Sequence, residues 1–152
     1  HNIDDFVWRF CVNFIPLNSI TQPVAYPIPR CDSAIYLTFG GGLWMWLFDA
    51  PMGYHQIGVT ADSQVKLAFA GPDATKWTYN VMPFSPVNGP STFIAFIHDV
   101  ASTWKDLAHA CGLTIDKDTN TNIIVDDILS WAKTLVSALL YMECQLRVAQ
   151  SQ

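Results

Sequence analysis

The chain has 152 residues, 51% of them hydrophobic and 14% charged, with a net charge of −5. That length suits one domain of about 100–200 residues with a real core, and the composition excludes an intrinsically disordered chain. The longest apolar stretch, residues 40–48, falls well short of the roughly 20 residues of a spanning helix, and no signal-peptide pattern opens the chain, so a soluble intracellular protein without membrane contact is expected. An acidic balance is awkward for a nucleic-acid enzyme, whose phosphate contacts need Lys and Arg, unless the basic surface lies elsewhere in a longer chain. The first residue is His1 rather than Met, and residues 141–152 read as helix without a stop signal, which points to a piece of a longer polypeptide.

In chain order, Val7-Trp8-Arg9-Phe10-Cys11-Val12-Asn13 alternates and is rich in β-formers, which predicts a strand over 7–13. Pro16-Leu17-Asn18-Ser19 reads as a turn, and the three prolines from Pro23 to Pro29 forbid regular structure there. A short helix over 32–39 is stopped by Gly40-Gly41-Gly42, and the apolar run 43–48 is a strand ending in Asp49. Gly53 to Ile57 is a short turn or helix. Residues 66–70 and 77–81 flank Gly71-Pro72-Asp73 and form a hairpin. From Pro90 to about Ala110, the residues Phe93, Ile94, Phe96, Ile97, Val100, Trp104 and Leu107 recur at helical spacing. Residues 116–122 are a polar loop, 123–125 and 128–131 form a second hairpin, and 134–149 form a second amphipathic helix. This order predicts an α+β domain with helices on one face of an antiparallel sheet.

The residues that suggest chemistry are aspartates. Asp126 and Asp127 stand together inside the apolar run 123–131, and an unpaired carboxylate taken into an interior costs several kcal/mol, so the pair calls for a cation or a partly wet cleft. Asp49 adds a third acid at a strand end. Three such acids suit hard divalent cations that hold phosphate oxygens, which indicates phosphoryl or nucleotidyl transfer. A calcium loop is the rival: Asp116-x-Asp118-x-Asn120 with Asn122 and Ile123 imitates the start of an EF-hand and puts Asp127 twelfth, but Thr121 stands where glycine is needed and Asp127 replaces the bidentate Glu. The four cysteines, Cys11, Cys31, Cys111 and Cys144, have no metal or redox spacing and read as buried small apolar residues. His109 beside Cys111 lacks further ligands at suitable spacing. His55 and His98 read as structural, and Trp44, Trp46, Trp77, Trp104 and Trp131 as core.

Several stretches in order carry a family resemblance: Trp8 to Val12, Pro16-Leu17-Asn18, Tyr26 to Arg30, Asp49 with Gly53-Tyr54-His55-Gln56-Ile57, Val81-Met82-Pro83-Phe84, Asn88 with Pro90 and Thr92-Phe93, and Val125-Asp126-Asp127-Ile128-Leu129. Together they resemble the reverse transcriptase, the RNA-directed DNA polymerase, of gypsy-type LTR retrotransposons, across residues 7–131. The resemblance implies a polymerase palm-like antiparallel sheet plus part of the fingers, with about 1–42 and 58–84 fingers-like and 43–57 and 85–152 palm-like. It implies Asp49, Asp126 and Asp127 as catalytic residues and as ligands of two Mg2+ ions, with Mn2+ as an alternative. Arg9, Ala50, Tyr54 and Phe84 match nucleotide-binding positions: Arg9 pairs with the triphosphate, Tyr54 excludes a 2′-hydroxyl, and Phe84 packs on the nucleotide. Lys66 matches a family lysine whose role is left open. The implied partners are an RNA or DNA template-primer, dNTPs and the remainder of a retroelement polyprotein, in a cytoplasmic particle or the nucleus.

Departures from the family pattern are specific. Ser85-Pro86 follows Met-Pro-Phe where the family usually has Gly, Ile124 replaces the tyrosine before the acidic pair, Ile15 stands for arginine and Asn13 for aspartate. The interval from Phe93 to Asp126 is long, with 116–122 as the insertion. No segment matches the thumb, the primer grip or RNase H. The alternative reading is a catalytically dead retroelement remnant that keeps a binding or assembly role.

Overall fold

The run after Gly42 puts bulky apolar side chains at consecutive positions, a pattern that a pleated strand accommodates by sending neighbours to opposite faces. In the computed structural model it forms strand β1 (Trp44–Asp49). The structure describes residues 10–27, 36, 42–114, 119–124 and 127–151. The chain divides into two units, one of residues 1–23 and 54–89 and one of residues 24–53 and 90–152.

The second unit is built on three antiparallel strands in the order β1-β5-β4, with β4 at Thr119–Ile124 and β5 at Asp127–Ala132. Pairing sets Trp46 against Ser130 and Ser130 against Thr121, with Phe48, Ile128 and Ile123 in the next row of that face. Helix α4 (Leu135–Ser151) packs on β1 and β5. Its start is capped by Thr134, whose hydroxyl accepts the Ser137 backbone N–H at 3.1 Å.

Helix and sheet meet through buried polar groups. Gln145 is 2% exposed, and its amide oxygen accepts the Trp46 indole N–H at 2.8 Å. Its amide nitrogen donates to Ser130 Oγ at 2.8 Å and Thr121 Oγ1 at 3.1 Å. Thr121 donates its single hydroxyl hydrogen to Tyr141 Oη at 3.0 Å, so in the 2.8 Å contact between Thr121 and Ser130 the serine is the donor. Burial pushes the Tyr141 hydroxyl above its ordinary pKa, against the Thr121 hydrogen bond. Every strand of the sheet is thus hydrogen-bonded to α4.

Helix α3 (Gly89–Ala110) buries Phe93, Ile94, Ile97, Ala101, Trp104 and Ala108, a stripe at the period of the helix. It ends in a Schellman turn: Leu113 N–H donates to Ala108 O and Gly112 N–H to His109 O, both at 2.9 Å, with Gly112 at φ +80.

In the first unit, Asn13 Oδ1 accepts the Ile15 N–H at 2.9 Å and opens helix α1 (Ile15–Ile20), with Pro16 in the first turn. Helix α2 (Ala61–Lys66) precedes a short hairpin of β2 (Phe69–Ala70) and β3 (Lys76–Trp77). An aromatic chain runs Phe10–Phe69–Tyr79–Phe14 with centroid spacings of 5.5, 5.5 and 6.2 Å.

The mixed helix and antiparallel sheet agrees with the α+β class. Strand 43–48, the helix over 90–110, the helix over 134–149 and the hairpin around the acids match what the sequence indicated. Other elements differ. Phe10–Asn13 is not strand, while 7–9 lie outside the described residues, and Pro16–Ser19 is helix rather than turn because proline is tolerated at a helix start. Residue 66 ends α2 instead of opening a strand, so the first hairpin is shorter than expected. From Thr119 the supposed polar loop is strand β4, which also removes the EF-hand reading, since its later ligand positions alternate across a ladder. The 32–39 helix lies outside the described residues apart from Tyr36. Trp104 and Trp131 are core, but Trp44 and Trp77 are 46% and 58% exposed. Cys144 is buried as expected, whereas Cys11 and Cys111 are exposed. Among the described residues, no helix is long and apolar enough to cross a membrane.

Gln145→Leu leaves the Trp46 N–H and two buried hydroxyls short of partners and is expected to destabilise the chain by about 2–3 kcal/mol, against about 1 kcal/mol for Trp46→Phe, which deletes one hydrogen bond with its donor. Urea unfolding of the two variants measures both.

Candidate metal and nucleotide site

The strand ladder brings two of the three acids together. Asp49, the last residue of β1, lies directly opposite Asp127, the first residue of β5, and Asp127 also faces Ile124 across the hairpin. Directly opposed residues of antiparallel strands hold their Cβ atoms about 4.5–5.5 Å apart and project to the same face. That face is the one turned away from the Gln145 network. Its inner end is closed where Gly42 approaches Trp131, and an added Cβ at Gly42 would stand 2.6 Å from the Trp131 Cβ. Leu47, 59% exposed, lies next to the acids on the same side of β1.

Both carboxylates are exposed. Of the two alternatives for acids in an apolar run, a cation or a partly wet cleft, the exposure of Asp127 agrees with the wet one: Asp49 and Asp127 stand at strand ends, where the ladder stops and water reaches them. Asp126, the acid of the hairpin loop, lies outside the described residues, as does Arg9. Among the described residues, no group of three or more His, Cys, Asp or Glu is placed to hold a metal ion. The donor chemistry of Asp49 and Asp127 nonetheless fits a hard cation: two carboxylates on one face, with no thiol or imidazole in the pair.

Immediately after Asp49 the chain reverses. Gly53 N–H donates to Ala50 O at 3.0 Å, with Pro51 second in the turn and Met52 third at φ +54, the signature of a type II turn. Ala50 is half-buried. Gly53 then opens a 3-10 turn (Gly53–Gln56), and its missing side chain is required by packing: a Cβ there would sit 2.6 Å from the ring of fully buried Phe93.

The other candidate residues gather in the first unit. Tyr54 and Phe84 have ring centroids 5.5 Å apart, and His55 meets Phe84 edge-on at 4.7 Å. The His55 Nδ1 is buried without a hydrogen-bond partner among the described residues. Phe84 itself is 43% exposed. The loop that follows is held by Asn18, which donates through Nδ2 to Ser85 O and accepts the Val87 N–H on Oδ1, both at 2.9 Å. Ser85 adopts φ +84, a backbone conformation suited to glycine. Asn18 was legible only as a turn residue. Its neighbours Pro16 and Leu17 mark the motif, but a contact 67 residues away has no local signal. Asn13 makes an Asx turn ahead of the Phe14 N-cap, its Oδ1 accepting the Ile15 N–H, and Ile15 is 72% exposed and makes the surface apolar there.

No protein-family model matches the chain. It is similar to the "Enzymatic polyprotein" of soybean chlorotic mottle virus, 30% identical over 108 residues that cover 71% of this chain and 15% of that protein. It is also similar to the "Retrovirus-related Pol polyprotein from transposon opus" of Drosophila melanogaster, 28% identical over 109 residues covering 72% of this chain and 10% of that protein. The "Transposon Tf2-3 polyprotein" of Schizosaccharomyces pombe is 30% identical over 103 residues, covering 68% of this chain and 8% of that protein. The chain spans only a small part of each relative. These similarities support a segment of a retroelement-type polyprotein.

Gly53→Ala is expected to cost about 1–3 kcal/mol, because the Phe93 ring must move from a packed position. Ser85→Gly is expected to stabilise by about 0.5–1 kcal/mol, the relief of left-handed strain exceeding glycine's larger entropy loss. Denaturant midpoints measured on both variants check the two signs.

Proposed function

We propose that this chain is the palm-like part, with some of the fingers, of an RNA-directed DNA polymerase, and that its chemistry is nucleotidyl transfer of dNTPs to a primer 3′-hydroxyl on an RNA or DNA template. The observation that carries the reading is the pairing of Asp49 with Asp127 at the exposed end of a sheet face whose opposite side is sealed by α4. The viral and transposon polyproteins to which the chain is similar, one of them named retrovirus-related Pol, support it.

In this reading Asp49, Asp126 and Asp127 hold two Mg2+ or Mn2+ ions, which when bound lower the pKa of the primer hydroxyl and stabilise the pyrophosphate leaving group. The ladder fixes the Cα and Cβ positions of Asp49 and Asp127 opposite each other, so only the side-chain rotamers have to be ordered when a cation arrives. Tyr54 presents a ring that excludes a 2′-hydroxyl and thereby selects deoxynucleotides. Phe84, steadied by the edge of His55, packs against the nucleotide, and the Asn18 clamp fixes the loop behind it. Arg9 pairs with the triphosphate through its planar fork. Template-primer contacts fall largely to other parts of the polyprotein, in keeping with this chain's charge of −5.

Two measurements test the proposal. Mn2+ titration followed by water proton relaxation is expected to show binding that weakens in Asp49→Asn and Asp126→Asn; binding indifferent to both substitutions would sink the two-metal reading. Primer extension by the chain alone is expected to be negligible. Extension should return when fingers and thumb segments of a related polymerase are joined to it, and should vanish again in Asp126→Asn. Metal binding without any extension in the completed enzyme would instead identify a remnant.

A further inference from the structure

The Tyr54 ring lies against a short loop of its own unit, residues 84–89. Phe84 opens the loop, with the two ring centroids 5.5 Å apart and the ring planes tilted by 44°. Gly89 closes it, buried, as the first residue of α3. A Cβ on Gly89 would stand 3.3 Å from Tyr54 Cε1 and 3.7 Å from Cδ1, so the bare Cα lies along one edge of the ring. Gly89 is not in the left-handed region, so its backbone does not call for glycine; the room it leaves is taken by the tyrosine. One loop therefore meets the ring at both of its ends.

We propose that Gly89 is a positioning residue for sugar selection: it seats the Tyr54 ring where that ring excludes a 2′-hydroxyl, and the loop it closes holds the seat. The ligand classes told apart are deoxyribonucleoside and ribonucleoside triphosphates. The inference rests on the reading of Tyr54 as the gate, and it adds the part of the chain that sets the gate's position.

The loop is braced along its length. Asn18 donates to Ser85 O and accepts the Val87 N–H, both at 2.9 Å. The Gly89 N–H donates to Pro86 O at 3.0 Å and closes a turn, while Asn88 Nδ2 donates to Gln22 O at 3.1 Å. Discrimination by steric clash depends sharply on where the ring stands, because repulsion between atoms rises steeply once they meet. A methyl group at Gly89 presses on the ring edge and forces such a shift. Phe84, 43% exposed, can yield to it, so the ring is displaced while the fold stays closed. Removing the Asn18 amide acts from the other direction: the loop is released and the ring loses its seat.

The test measures Kd for dATP and for ATP on the full chain with Mg2+ present, by ligand-observed NMR titration. The parent is expected to prefer dATP, and Tyr54→Val to lose that preference. Gly89→Ala should lower the ratio of the two Kd values by about threefold or more, since a small misplacement of a positioned group has a large effect. Asn18→Ala, which leaves Gly89 in place, should lower it too and reads the same seat if Gly89→Ala folds poorly. Adding Gly89→Ala to Tyr54→Val should change nothing further, because Gly89 acts only through the ring. A parent preference that Tyr54→Val removes but Gly89→Ala and Asn18→Ala leave intact would overturn the seat and keep the gate. A parent that fails to prefer dATP, or a Tyr54→Val chain that still does, would overturn the gate and the seat with it.

Discussion

The side-chain amide of Gln145 constrains the whole sheet. Its oxygen and nitrogen reach β1, β5 and β4 together, and the hydroxyls of Thr121, Ser130 and Tyr141 extend the network. Apolar packing alone would tolerate a sliding strand, because one bulky side chain can replace another. A hydroxyl-to-amide contact cannot slide. A one-residue slip would turn Ser130 or Thr121 to the other face and leave Gln145 unsatisfied in the interior, where each missing bond costs about 1–3 kcal/mol. The same register puts Asp49 opposite Asp127, so the network on one face specifies the acid pair on the other.

Among the described residues, three that are not glycine occupy positive φ: Met52, Ala74 in the turn between β2 and β3, and Ser85. Met52 stands three residues after the β1 acid, in the second unit, and Ser85 directly after Phe84, in the first. Such residues cost of order 1–3 kcal/mol each and persist only where neighbours determine them. At Met52 the determinant is the Ala50–Gly53 turn, tied to Phe93 through Gly53. At Ser85 it is the two-handed clamp of Asn18.

Elements whose apolar side chains repeat at a regular period were legible in the sequence. The stripe from Phe93 to Trp104 announces α3, and the aromatic run 44–48 announces β1. Strand β4 was not legible because its buried positions include Thr119 and Thr121, polar residues of which Thr121 is held inside by hydrogen bonds rather than by apolarity. Its alternation is therefore invisible to a hydrophobic pattern. Pro16 misled in the opposite direction, since the residue that breaks a helix interior also fits a helix start. For the site, the acids at two strand ends were readable, with a cation or a partly wet cleft as the alternatives, but the sequence could not choose between them, because apolar neighbours say nothing of where the ladder stops.

Exposure changes the argument for a cation. A buried pair of carboxylates would demand one, because desolvation of two like charges costs many kcal/mol. Two charges about 5 Å apart in water repel by only about 1 kcal/mol, and physiological salt lowers this further. Asp49 and Asp127 can therefore stand opposite each other while the sheet folds without an ion. Mg2+ dehydrates reluctantly and is commonly held by one or two carboxylates together with substrate phosphates. A preformed, exposed pair suits that mode: the protein supplies part of the coordination, and the triphosphate supplies the rest. In the proposed polymerase, metal affinity would then rise when nucleotide is present, by an amount set by those phosphate oxygens rather than by any refolding of the acid-bearing strands.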